Sequence, residues 1–204
     1  MKPRILPALA LVAALVAPSA AQAEDVYWNT KTLLKDFFKT SERVSYVKVE
    51  TAAAKAELKS VLGYLPKKKA YVVFVAKTKG KIDGYAIIDE EMGQHQPITF
   101  GVKVDAKGQV QRLEVMVYRE GYGDEIRENR FRRQFVGKSA QDAIRFGDDV
   151  SAISGATISS KAMAVGVRRA VALTSVARDK VGAVKHAAST SGTSGTSGPA
   201  GAAP

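Results

Sequence analysis

Ser154-Gly155-Ala156-Thr157 sets a hydroxyl, a flexible glycine and a second hydroxyl just before an alanine- and valine-rich stretch. The first backbone N–H groups of a helix have no partner inside it, so a helix starting here offers donors to a phosphate or another anion. An ordinary N-cap, with Ser154 accepting a backbone hydrogen bond, explains the same four residues. Lys161 follows Thr157 by one turn, and helical side chains lean toward the N-terminus, so its ammonium could approach an anion held by Thr157. Four other places carry chemistry. Glu90-Glu91 is a candidate carboxylate pair or a solvated loop. His95, beside Pro97, suits a ligand contact or a structural hydrogen bond. In Arg119-Glu120-Gly121-Tyr122-Gly123 the glycines allow close approach to a planar ligand, and Tyr122 offers a ring to stack; an ordinary turn is the alternative. Asp148-Asp149 lacks a third metal ligand in register.

The elements that must hold these residues follow from periodicity. Met163, Val167, Ala170 and Val171 form one helical stripe that should face a sheet. Thr157 lies roughly 120° from that stripe, which leaves its hydroxyl outside the core. Upstream, Asn29 to Lys39 repeats Leu33, Leu34, Phe37 and Phe38 at helical spacing, capped by Asn29 or Thr30. Thr51 to Leu62 suits a second helix, ended by Gly63. Strands are expected at 44–49, 71–76, 85–88, 98–104 and 110–118, the last four forming two hairpins. In the final strand Val110, Arg112, Glu114, Met116 and Tyr118 should share one side and Leu113, Val115 and Val117 the other, as in a sheet with one face buried. A short amphipathic helix is expected within 124–135, and another after Ser139. The class is α+β: an antiparallel sheet with N-terminal helices and a C-terminal helix packed on it.

Composition narrows the chemistry. Cysteine is absent, which excludes disulfides, thiolate metal sites and cysteine nucleophiles; two histidines argue against a histidine-rich metal site. The 204 residues carry 31 Lys+Arg against 20 Asp+Glu, a net charge of +11 that suits nucleic acid, anionic lipid or an acidic protein. Lys2 and Arg4, an apolar run from Ile5 to Val16 and the small residues around Ala21-Gln22-Ala23 read as an export signal. An uncleaved anchor is the alternative. The mature chain should begin near Glu24 outside the cytoplasm, which removes nucleic acid from the expected partners. The Ser/Thr/Gly/Pro/Ala-rich stretch 189–204 reads as a flexible tail. The expected division is a signal at 1–23, a helical and strand extension at 24–69 and a main domain at 70–180.

Ser154-Gly155-Ala156-Thr157, with Ser159 and Ser160, resembles the flavinylation motif of FMN-binding domains. These occur in the flavin-bearing subunits of the Rnf complex and the sodium-translocating NADH:quinone reductase, and in stand-alone exported proteins. Gln94 to Phe100, Tyr118 to Gly123 and Phe135 to Lys138 extend the resemblance over about residues 70–175. It implies FMN carried on Thr157 through a phosphoester bond, installed by a separate flavin transferase. Ser154, Gly155 and Ala156 would shape the approach, and Glu120, Gly121, Tyr122, His95 and Thr99 would flank the ring. Ser151 stands where the family pattern usually has aspartate. The implied protein is a periplasmic electron carrier, peripheral to the membrane or docked on a redox protein or a membrane electron-transfer complex. A flavin-dependent reductase with its own small substrate and a flavin-free periplasmic adaptor are the alternatives. No residue stands out as a substrate acid or base.

Overall fold

The computed structural model describes residues 24–190. In chain order these form β1 (Asp25–Val26), α1 (Thr30–Phe37), β2 (Arg43–Glu50), α2 (Lys55–Leu62), β3 (Ala70–Thr78), β4 (Lys81–Met92), β5 (Pro97–Asp105), β6 (Val110–Tyr118), α3 (Asn129–Arg132) between two short 3-10 turns, and α4 (Thr157–Thr190). The signal expected at 1–23 lies outside the described residues. So does the expected tail, except Ser189 and Thr190, which close α4. No described helix is long and apolar enough to cross a membrane.

The α+β expectation holds. Six strands form one antiparallel sheet in the order β1-β6-β5-β4-β3-β2. Both edge strands come from residues 24–69, so that segment is built into the sheet. α1 starts at the predicted cap: Asn29 Oδ1 accepts the Thr32 N–H at 2.9 Å, and Thr32 Oγ1 accepts the Asn29 N–H at 3.2 Å. α2 begins later than its periodicity suggests. Thr51 is drawn to the 68–69 segment, its hydroxyl donating to the Lys68 carbonyl at 2.6 Å and its N–H to that of Lys69 at 2.9 Å.

Both sheet faces are covered, unequally. The larger core joins α2, α4 and one face through Val73, Tyr85, Ile87, Phe100, Val102, Leu113, Met163, Val167 and Leu173. On the other face α1 buries Leu33, Phe37 and Phe38 against Ala76, Ala86 and Met116. Successive residues of β5 seat both layers. A Cβ on Gly166 of α4 would lie 2.4 Å from the Phe100 ring, and one on Gly101 would lie 2.3 Å from Leu33.

β6 departs from simple alternation. Lys103 pairs with Arg112 while Val104 pairs with Val110, and Thr99 pairs with Val117 while Phe100 pairs with Val115. Gln111 and Met116 are therefore extra residues, and each bulge flips the side-chain direction. Val110, Leu113, Val115 and Tyr118 share the α4 core, whereas Met116 and Val117 face α1. The strict two-residue grouping expected for this strand fails for that reason. No helix forms after Ser139; its backbone N–H and hydroxyl are both taken by Asp142 in a turn.

Gly166→Ala should destabilise the protein by about 1–3 kcal/mol through overpacking against Phe100, despite alanine's higher helix propensity. Urea denaturation measures this; an unchanged or raised midpoint would show that the contact is slack.

Candidate functional site

α4 begins at Thr157, and its first helical bond runs from the Ser160 N–H to the Ala156 carbonyl at 2.8 Å. The N–H groups of Thr157, Ile158 and Ser159 precede that bond and are the outward-pointing set of a helix start. The Thr157 side chain is exposed, as its angular offset from the Met163 stripe predicted. Ser154 is exposed too, but the capping position falls at Ala156, so the N-cap reading for Ser154 is corrected. Gly155 has φ +86, and a Cβ there would sit 2.7 Å from Glu125 Oε1. Backbone freedom and close approach both demand glycine there.

A cleft of about 230 Å³ opens at this helix start, lined by Gln94, Glu120, Tyr122 and Gly123 from the strand ends and by Gly155 to Ser159. Tyr122 is 90 % exposed and Ile158 46 %. A wholly exposed aromatic ring beside an apolar side chain suits a planar partner.

A buried hydroxyl relay holds the Tyr122 loop. Tyr118 OH lies 2.5 Å from the Tyr122 carbonyl oxygen and 2.9 Å from Ser159 Oγ. The carbonyl only accepts, so Tyr118 donates to it and Ser159 donates to Tyr118. A Cβ on Gly123 would lie 2.6 Å from both hydroxyl oxygens, and φ +95 independently selects glycine there. Burial pushes the Tyr118 phenol up to about 12; the Ser159 hydrogen bond works against this, and Glu120, Asp124 and Glu125 add to it.

Glu120 acts as a clasp. Its Oε1 accepts the backbone N–H groups of His95 and of Gln96, the latter at 3.0 Å, and so ties the Gly93–Gln96 turn to the end of β6. His95 thus joins the site through its backbone, with an exposed side chain.

Other expected site residues lie elsewhere. Gly121 is exposed and outside the cleft lining. Thr99 projects to the opposite sheet face from Ile98 and Phe100, where it accepts from Arg119 at 3.0 Å and donates to Glu90 at 3.1 Å. Lys161 does not lean on Thr157: its ammonium lies 5.1 Å from the Phe146 ring centroid, in a separate recess, where cation–π attraction holds it. Ser151 is clamped by Gln134 through its backbone, at 2.8 Å to its N–H and 3.2 Å to its carbonyl.

The two carboxylate pairs are structural. Glu90 and Glu91 lie in β4 and diverge to opposite faces, because β4 runs on to Met92 beyond its predicted end. Glu91 pairs with Arg169 of α4, whose Nε also donates to the buried Asp89 at 2.7 Å. Lys68 reaches the other Asp89 oxygen at 2.7 Å. Burial works against the Arg169 charge, but Asp89 and Glu91 outweigh it and raise the guanidinium pKa. Asp149 accepts from Lys138 at 2.7 Å and from the Ile144 and Arg145 N–H groups at 3.1 and 2.7 Å. Burial opposes its ionisation, yet these donors depress its pKa. Gln94 and Tyr118 enter the sequence reading only within longer segments, with no site role of their own, and Glu125 does not enter it; only Tyr118, ending a strong strand beside two glycines, carries a usable signal.

Residues 93–172 match the FMN-binding domain family. The match spans the Gly93–Gln96 turn, the Tyr118–Gly123 loop and the start of α4, the three segments that meet at the cleft. Among solved structures, the crystal structure of Shewanella oneidensis NqrC is similar at 19 % sequence identity and a TM-score of 0.40, over 68 % of this chain and 80 % of that one. No curated protein sequence matches the chain. The cleft residues fit FMN: unpaired N–H groups and the Thr157 hydroxyl suit its phosphate, and Tyr122 and Ile158 suit its ring.

The Tyr118 assignment is testable by pH. Its folded pKa exceeds the unfolded value near 10, so its stabilisation is complete below about pH 10 and declines as pH rises toward 12. Tyrosinate absorbance should show one phenol ionising near pH 12 in the folded protein, and this step should vanish in Tyr118→Phe. A titration identical in the variant would remove the buried relay.

Proposed function

We propose that this protein is an exported electron-transfer flavoprotein that carries FMN covalently on Thr157 through a phosphoester bond. The observation that carries the reading is an exposed threonine closing Ser154-Gly155-Ala156-Thr157 at the first position of α4, within the matched FMN-binding segment. In the proposed transfer a separate flavin transferase would supply the flavin as a dinucleotide: Thr157 Oγ1 would lose its proton and form the new P–O bond as the phosphoanhydride bond breaks, and the nucleoside monophosphate would leave. The N–H groups at the helix start then stabilise the charge remaining on the phosphate. FMN supplies the redox chemistry when bound. The chain's own work is to hold and orient it: Glu120 fixes the Gly93–Gln96 turn, and the Ser159–Tyr118 relay fixes the loop presenting Tyr122.

Export to the periplasm rests on the N-terminal charge, apolar run and small-residue site within 1–23. Covalent attachment suits that compartment, since a tethered flavin is not lost by dissociation. The reading places the protein between a donor and an acceptor, either redox proteins or a membrane electron-transfer complex.

Intact denaturing mass spectrometry of protein coexpressed with a flavin transferase should show an added FMN mass, absent from Thr157→Ala. A wild-type protein without covalent flavin, or a variant that keeps it, would overturn the assignment. N-terminal sequencing of the exported fraction should find a start near Glu24.

A further inference from the structure

The sheet face opposite α4 is incompletely covered. Six strands at about 4.8 Å spacing make a sheet roughly 24 Å wide. α1 has eight residues, so it is about 12 Å long and about 10 Å across. It shields the middle of that face and leaves the β2–β3 side open. Val44, Tyr46 and Val72 are there 41, 69 and 42 % exposed. Tyr46 pairs with Phe74, and Lys48 with Val72, so Val44, Tyr46, Phe74 and Val72 share one surface. Between this surface and α1 runs a groove of about 500 Å³, floored by Leu34, Phe38 and Phe74.

One wall of the groove is a row of charge. Lys31, Lys35 and Lys39 recur every fourth residue, all exposed and all lining it. None of the three forms an ion pair among the described residues. Nearby acids are engaged elsewhere: Asp36 by Arg112, Glu50 by Lys48, and Glu42 by the Lys79 N–H. The Lys103 ammonium lies 5.5 Å from the Phe38 ring centroid and adds positive charge beside the same floor.

We infer that this face is a docking surface for an anionic lipid bilayer, with Tyr46, Val44 and Val72 entering the interfacial zone and the three lysines meeting lipid phosphates. Charge complementarity selects an anionic partner. The kind of cation selects lipid over protein: all three are lysines, point charges on flexible stems, which are depleted in protein–protein interfaces. A lysine row flanking an exposed tyrosine and valines is the pattern of a peripheral membrane contact. The groove shares no residue with the Thr157 cleft, and the sheet separates the two. Docking through it leaves the cleft open to a partner approaching from the aqueous side. The inference stands on the groove alone and is independent of flavin attachment.

Sedimentation of the full chain with vesicles tests it, comparing phosphatidylcholine alone with phosphatidylcholine plus phosphatidylglycerol. The N-terminal apolar run is common to every variant, so differences between variants report on the groove. Binding should favour the anionic vesicles and collapse near 1 M salt, where the screening length is about 3 Å. The triple variant Lys31→Gln, Lys35→Gln, Lys39→Gln should bind them roughly a hundredfold less. Tyr46→Ser, on an exposed edge position, should weaken binding without changing the charge. Equal binding to both vesicle types, or a triple variant that binds like the parent, would overturn the inference. An acidic protein that binds the groove while anionic vesicles do not would overturn it too.

Discussion

The buried pairing of Arg169 with Asp89 fixes where α4 lies, and most of the molecule answers to that position. Two charges out of water tolerate no sliding, because separating them leaves each uncompensated at a cost of about 3–5 kcal/mol. Glu91, the Glu90 carbonyl and Lys68 complete the set, so helix, central strand and the loop before β3 are locked together. Gly166 lies one turn before Arg169 and lets the helix descend onto Phe100. Thr157 sits about two and a half turns earlier still on the same rigid rod, about 18 Å from Arg169 along the axis. The start of α4 is therefore positioned by contacts made deep in the protein, and the loops that meet it there need only be fixed to one another.

Those loops are fixed by short-range hydrogen bonds in which side chains substitute for backbone partners. One carboxylate oxygen of Glu120 accepts from two N–H groups of a turn, and the Tyr118 hydroxyl donates a hydrogen bond to a carbonyl. Each device leaves a cleft-lining group free, Gln94 in one case and the Tyr122 ring in the other. The same economy explains why Gly123 and Gly155 are glycines, since a side chain at either would collide with the groups that hold the site.

Much of this was legible before any coordinates. Strong alternation marked β6 to the residue, and the phase of the Met163 stripe placed Thr157 outside the core. The motif points to a helix start; of the segments that the resemblance sets beside it, Tyr118–Gly123 reaches the cleft through Tyr122 and Gly123, whereas His95 and Thr99 do not line it. What failed had local physical causes. Two bulges in β6 regrouped its side chains, because nothing in a string of apolar residues announces an extra one. β4 runs past its apolar stretch into Asp89-Glu90-Glu91, since Asp89 and Glu91 are satisfied by Arg169 of α4, about eighty positions from where periodicity is read. Lys161 was drawn to Phe146, a ring in an irregular loop whose path no pattern predicts. Thr99 lies in the right strand but on the wrong face, which a residue count from Ile98 would have shown.

The two edges of the sheet come from the beginning of the chain, although β3 to β6 follow one another as simple hairpins. β1 finds its partner across a long loop, Asp25 opposite Tyr118, and α1 then carries the chain over the sheet to lay β2 against β3. The central hairpins can form locally, whereas closing β1 onto β6 must overcome the entropy of a large loop and so belongs late in folding. β1, the first of the described strands, is therefore among the last to be pinned. A chain organised in this way keeps its sheet open at one edge until β6 is available to receive that strand.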